Sequence, residues 1–264
     1  NAAIKFQFRQ LESFIHPDYK SNKDIKHIPR FVETRLDHDG YEALIKVART
    51  ANLHTMCTPF DEESVDVILD MDIDAIKVAS CSFNDWPLIE KIATSGLPVV
   101  VSTGGGTISD IDKCVHILTS HGINFGLEHC VSIYPTPDHQ LQLNQIDQLR
   151  RRYVGIPIGW STHEDPEDLI TVQLAFSKGA TIFERHVGLS TDKYELNRYS
   201  SSPEQISGWF DAYKSAVTRC GAVHRPPISS EEKESIRTLK RGVFATDSIK
   251  KGQKLTRDKV FFAM

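Results

Sequence analysis

The 264-residue sequence is poor in several features that would settle its class at a glance. Its five cysteines, Cys57, Cys81, Cys114, Cys130 and Cys220, form no CxxC pair and are odd in number, which argues against a disulfide framework or a zinc ribbon. Such thiols suit a reducing compartment, and the three near strand-like ends, Cys57, Cys81 and Cys130, are expected to be buried as small residues. Charge of one sign is also missing: 31 Lys and Arg against 35 Asp and Glu leave a net charge of -4, which speaks against a nucleic-acid surface. No apolar run approaches the roughly 18 residues of a membrane span. No basic-then-apolar leader opens the sequence, so a cytoplasmic protein with no membrane partner is expected. Neither GxGxxG nor GxxxxGK[ST] occurs, so dinucleotide and nucleoside-triphosphate binding lack support.

What is present is a regular alternation. Short β-branched or apolar runs lie at 3–8, 54–58, 75–80, 98–103, 125–130, 154–162 and 181–189. Helical patterns lie between them, at 41–51, 61–69, 86–94, 109–118, 141–151, 166–177 and 203–219. Strand alternating with helix implies an α/β protein with parallel strands covered by helices. An open doubly wound sheet fits seven strands. Polar residues end nearly every strand, however, and this favours a (β/α)8 TIM barrel whose first βα unit is expected to be absent from this sequence. Residues 1–221 are expected to form that barrel domain and 222–240 a linker and short helix. Residues 241–264 are expected to open a small β-rich C-terminal module.

The chemistry concentrates at strand ends. Lys5, Lys77, Ser102, Thr103, Ser132, Ser161, His163 and His186 can face one cavity, because parallel α/β proteins place their sites at the carboxyl ends of the strands. A lysine inside Ile76-Lys77-Val78 is costly unless paired or hydrated; it either snorkels at the barrel mouth or, with Lys5, meets an anionic substrate. Ser102-Thr103-Gly104-Gly105-Gly106-Thr107 reads as a flexible turn or as an anion-binding loop before a helix. Taken singly, His163 and His186 are ordinary structural histidines. On the ends of consecutive strands they become candidate ligands for Mn²⁺, Fe²⁺, Co²⁺ or Zn²⁺. His129 and Cys130 point to opposite faces of a strand, so they make no catalytic dyad and Cys130 is expected in the core.

These segments resemble the sialic acid synthase (N-acetylneuraminate synthase) family. The matching pieces, in order, are Lys5-Phe6-Gln7, Thr58-Pro59-Phe60-Asp61, Lys77-Val78-Ala79-Ser80, Ser102-Thr103-Gly104 and His129-Cys130 through Tyr134-Pro135. Trp160-Ser161-Thr162-His163 and Glu184-Arg185-His186 complete the set, and Arg241 to Gly252 resembles the start of the family's small antifreeze-protein-like (SAF) domain. The resemblance implies condensation of phosphoenolpyruvate with an N-acylated amino-sugar aldehyde, giving a nonulosonic acid and phosphate. It implies a divalent metal, most often Mn²⁺, on His163 and His186, and a homodimer in which the small domain caps the partner's site. It also places Lys5, Lys77, Ser102, Ser132 and Ser161 around phosphoenolpyruvate, with Tyr134 near the sugar, and Gln7, Asn197 and Arg198 are further substrate-binding candidates. Lys77, His163 and His186 are then the catalytic candidates.

The chain departs from the family pattern twice. Ser82 stands where the family usually has a glutamate, and Asn197-Arg198 where it has an Asp-His pair. Both changes remove groups able to carry protons near neutrality. A non-catalytic sugar-binding or structural homologue within a polysaccharide-biosynthesis protein is therefore the alternative, and another metal-assisted aldol reaction on the same barrel is a third.

Overall fold

A computed structural model describes residues 2–20, 22, 24–25 and 27–264. Residues 1–219 and 220–264 form two compact units. In the first, seven strands, β1 (Ala3–Phe8), β2 (His54–Pro59), β3 (Ala75–Val78), β4 (Val99–Ser102), β5 (Phe125–Cys130), β6 (Ile158–Thr162) and β7 (Ile182–Arg185), form one sheet in chain order. Every neighbouring pair is parallel. The helices are α1 (Leu11–Phe14), α2 (His27–Glu33), α3 (His38–Thr50), α4 (Glu62–Asp70), α5 (Trp86–Ala93), α6 (Ile108–Ser120), α7 (Asn144–Arg152), α8 (Ile170–Ser177) and α9 (Pro203–Cys220). The last of these runs one residue past the first unit. In the second unit, α10 (Ser230–Leu239) precedes an antiparallel pair, β8 (Gly242–Ala245) and β9 (Val260–Ala263).

Local chemistry starts the helices where the sequence suggests. Asp37, Asp61 and Asp85 accept bonds from the backbone N–H of Gly40, Ser64 and Leu88, and Thr107 with Asp110 closes a capping box on α6. Strand residues divide between two faces. Ile76, Val78, Val99, Val101, Leu127, Ile158 and Trp160 join Val65, Ile68, Leu88, Ile89, Ile92, Leu118 and Ile146 of the helices in the main core. Each such fully buried side chain contributes roughly 1.5–3 kcal/mol. The other face carries Lys77, Ser102, Glu128, Ser161 and Glu184. Lys5 on β1 reaches Glu184 on β7, 3.8 Å away, so the sheet curls until its two edge strands share an ion pair. A parallel, curled α/β sheet of the barrel kind is therefore present, with seven strands and no pairing between β1 and β7 among the described residues.

Several boundaries differ from the sequence reading. Residues 154–157 are turn rather than strand, because Gly155 adopts a φ of +88° and Val154 lies 85% exposed. Beyond Arg185 only a single bridge, Val187 to Ser201, extends the 181–189 run. α8 begins at Ile170 and not at Pro166, since Asp168 Oδ1 caps the N–H groups of Ile170 and Thr171. α1 and α2 fall in a stretch where Pro29 and scattered charges hide the period. Cys57 and Cys130 are buried as expected, whereas Cys81 is exposed in the loop after β3.

Candidate active site

The polar face is a connected network. Lys77 Nζ donates to Ser102 Oγ (2.6 Å) and to the Val78 carbonyl (3.1 Å), and lies 3.4 Å from Glu128 Oε2 and 3.8 Å from Glu184 Oε1. Ser102 donates to Glu128 Oε2 (3.3 Å), and Ser161 to Glu184 Oε1 (3.1 Å). Register explains these meetings, since Ser102 pairs with Glu128, Glu128 with Gly159 and Ser161 with Glu184. A side chain at Gly159 would put its Cβ 2.9 Å from Glu128 Cγ, so the glycine makes room for the carboxyl.

The charges oppose burial. Desolvation lowers the Lys77 pKa, but Glu184 and Glu128 outweigh it and hold the ammonium above its ordinary value. Burial would likewise raise Glu184, yet Lys77 and then Lys5 bring it down to about 2. For Glu128 burial prevails over Lys77 and the pKa rises to about 7.

Next to this network the two histidines follow β6 and β7 directly. Their ring centroids are 5.2 Å apart, and Tyr134 (4.3 Å from His163) and Tyr199 (5.3 Å from His186) pack around them. His163 Nδ1 lies 3.0 Å from the Val131 carbonyl, which can only accept; this fixes the proton on Nδ1 and leaves the Nε2 lone pair free. Burial lowers both imidazole pKa values, and at His186, where Lys5 and His163 add to it, the value falls to about 4. Two neutral imidazoles, that of His163 oriented by the Val131 carbonyl, are a donor set a divalent transition metal takes, so the residues fit such an ion. Among the described residues the only trio with closely spaced ligand atoms is elsewhere, the exposed His38, Asp39 and Glu42 of α3. A metal on the histidine pair would draw its remaining ligands from water or substrate.

The adjoining residues are held by a second buried pair. Arg185 Nη1 donates to Glu164 Oε1 (2.7 Å) and its Nε to Ser201 Oγ (2.6 Å), while the Ser201 N–H donates to the His186 carbonyl (2.9 Å). Glu164 and Arg185 each adjoin a histidine, so this clamp ties the ends of β6 and β7 together.

The remaining expected residues divide. The glycine loop closes against the network: Gly104 donates to Ser80 Oγ (3.1 Å), and a Cβ there would lie 2.6 Å from Ser132 Oγ. Ser132 and Tyr134 are exposed. Gln7 instead accepts from Arg9 (3.3 Å), Asn197 Oδ1 accepts from Arg30 (3.4 Å), and Arg198 is exposed. Glu128, Glu184, Glu164 and Tyr199 were not singled out by the sequence reading. An acidic residue within the run Phe-Gly-Leu-Glu-His-Cys carries the same signal as Lys77 and could have revealed Glu128.

A curled parallel sheet with a lysine–serine–glutamate network and a histidine pair at consecutive strand ends defines an α/β protein of the barrel kind with a polar site at its strand ends. The chain matches the NeuB family over residues 1–223 and belongs to it. It is 46% identical to a protein described as spore coat polysaccharide biosynthesis protein E from Chromobacterium violaceum, whose crystal structure superposes with a TM-score of 0.96 over 99% of this chain and 78% of that one. It is 32% identical to the N-acetylneuraminate-9-phosphate synthase of Drosophila melanogaster over 72% of this chain, and 25% identical to the N,N'-diacetyllegionaminic acid synthase of Campylobacter jejuni over 83%. The chain spans 50% and 65% of those two relatives' lengths. No helix among the described residues is long and apolar enough to cross a membrane.

Proposed function

We propose that the protein condenses phosphoenolpyruvate with an N-acylated amino-sugar aldehyde, consuming one water at C2 of the enolpyruvate, to form a nonulosonic acid and release phosphate. The observation that carries this reading is the pair of neutral imidazoles beside the Lys77 network, in a chain of the NeuB family. Lys5 and Lys77 would attract the phosphate and carboxylate, with Ser102, Ser132 and Ser161 as hydroxyl donors. Fixed donors hold C3 of the enolpyruvate toward the aldehyde carbon, which lowers the entropic part of the barrier. His163 and His186 would hold a divalent cation, Mn²⁺ by preference, which when bound supplies Lewis-acid polarisation of the aldehyde oxygen. Glu128, at about 7, offers a carboxyl able to hold or release a proton at Oε1, the oxygen that neither Lys77 nor Ser102 engages, in a chain that has Ser82 where the family has a glutamate. Tyr134 and Tyr199 would wall the sugar side. Residues 241–264 are taken as the opening of a cap domain, and the protein as a homodimer.

The test is phosphate release by full-length, metal-loaded protein across a panel of amino sugars, with His163→Ala and His186→Ala alongside. Release that needs both substrates and metal, and is lost in both variants, supports the reading. Undetectable release across the panel would sink it, and saturable sugar binding without turnover would favour a non-catalytic homologue.

A further inference from the structure

Gln7, two residues along β1 from Lys5, borders a pocket of about 330 Å³. Three arginines line it, Arg9, Arg30 and Arg35, together with Phe31 and Tyr41. The arginines that form ion pairs among the described residues are Arg49, Arg152, Arg185 and Arg237, and none of the pocket's three is among them. Asp61, which lies near enough to act on Arg9, is already engaged: Oδ1 accepts from the Ser64 N–H and hydroxyl, and Oδ2 from the Gln10 N–H.

Arg9 is the anchor. Its guanidinium carbon sits 3.5 Å from the Phe60 ring centroid and 4.1 Å from that of Phe31, and its Nε is buried without a partner. Contact with aromatic faces recovers part of the lost hydration but leaves the N–H edge in need of acceptors. The other polar groups of the pocket do not supply them. Gln7 Oε1 receives only a long bond from Arg9 (3.3 Å), and the Tyr41 hydroxyl donates away, to the Gln7 carbonyl (2.6 Å). A site for neutral sugar hydroxyls needs acceptors as well as donors, whereas guanidinium groups only donate. Three of them in one pocket suit an oxyanion.

The pocket adjoins the proposed site. Arg30 donates to Asn197 Oδ1, and Tyr199, two residues on, packs against His186. This gives the departure at Asn197 a physical meaning. An aspartate there would pair with Arg30 and neutralise it, while the neutral amide leaves the cation available.

We infer that the pocket formed by Arg9, Arg30 and Arg35 binds an oxyanion group, a phosphate ester or a carboxylate, on the amino-sugar substrate at the end remote from its aldehyde. This rests on the condensation reading above and narrows its sugar to an acidic one.

The test is calorimetric binding of an N-acetylhexosamine, its terminal phosphate ester and the corresponding terminal carboxylate to full-length wild type, Arg35→Ala, Arg30→Ala and Asn197→Asp. Arg30 and Arg35 are exposed, so their removal spares the core. Wild type is expected to bind at least one charged sugar about tenfold or more tighter than the neutral one, and Arg35→Ala to bring it level with the neutral sugar. Asn197→Asp should weaken the charged sugar in the same direction, and the tighter of the two charged ligands identifies the group. Equal binding of neutral and charged sugars by wild type overturns the inference, as does a variant that weakens all three alike or weakens phosphoenolpyruvate instead. Turnover separates the two claims. Phosphate release without preference for a charged sugar removes the inference and leaves condensation standing; arginine-dependent binding of the charged sugar without any turnover does the reverse.

Discussion

Lys77 Nζ lies 3.4 Å from Glu128 Oε2 inside the curled sheet, both side chains closed to solvent and both bonded to Ser102. Removing one member leaves the other buried. Lys77→Met is expected to destabilise the fold by about 3–5 kcal/mol at pH 8 in urea denaturation. Glu128→Leu should cost less, because Glu184 still partners Lys77. The double variant should be less destabilised than the two singles sum to, and strict additivity would show that the pair is not coupled.

The raised Glu128 pKa fixes the sign of a pH effect. A carboxyl that titrates near 4.5 when unfolded and at about 7 when folded binds more protons in the folded state between those values. Its contribution to stability is full below about 4.5 and is lost as pH rises through about 7. Between pH 5 and pH 8, wild type should therefore lose stability relative to Glu128→Gln. Parallel stability profiles for the two proteins would contradict the assignment.

The clamp beside the histidines should couple fold and metal. Arg185→Met strips Glu164 of its cation and Ser201 of its donor, and should cost about 3–5 kcal/mol. Because Glu164 and Arg185 adjoin His163 and His186, Mn²⁺ affinity measured by calorimetry on the folded variant should fall by about 10–100-fold. Unchanged affinity would show that the histidines hold their places without the clamp.

Gly159→Ala tests the room made for Glu128. Its Cβ would come within 2.6 Å of the Ile182 carbonyl and 2.9 Å of Glu128 Cγ, so β6 and β7 must separate. A loss of about 1–3 kcal/mol in thermal or chemical denaturation is expected, and wild-type stability would mean the sheet yields more easily than its packing suggests.

Thiol labelling should separate the cysteines. Cys81 and Cys220 are exposed, whereas burial pushes Cys57 and Cys114 up to about 12 and raises Cys130. Native protein should react quickly at Cys81 and Cys220 and at the other three only on unfolding, as mass spectrometry of labelled peptides would show.

Much of the scaffold was legible because its signals are local. Apolar runs of strand length and acidic or hydroxyl residues before helical patterns located the sheet and most helices, and strand-end position singled out Lys77, Ser102, Ser161, His163 and His186. Glu184 escaped notice as a site residue because a glutamate near a strand end also reads as solvated surface. Tyr199 lies beyond the last strand, where no period marks which side chain turns back toward the histidines. Arg9, Arg30 and Arg35 sit among α1 and α2, whose short and interrupted patterns gave no reason to group them.

The chain by itself determined the alternation of parallel strands and helices, the capping of those helices and the polar character of the strand ends, since each depends on neighbours a few residues away. Only the tertiary structure decided which charges meet. Glu128 lies 51 residues from Lys77, and Glu184 joins Lys77 to Lys5 across 179 residues of sequence, because strand register and the curl of the sheet bring them together. Register follows from pairing between distant segments, so the partners of a buried lysine, the protonation of its glutamate and the gathering of three arginines around Gln7 exist only in the folded chain.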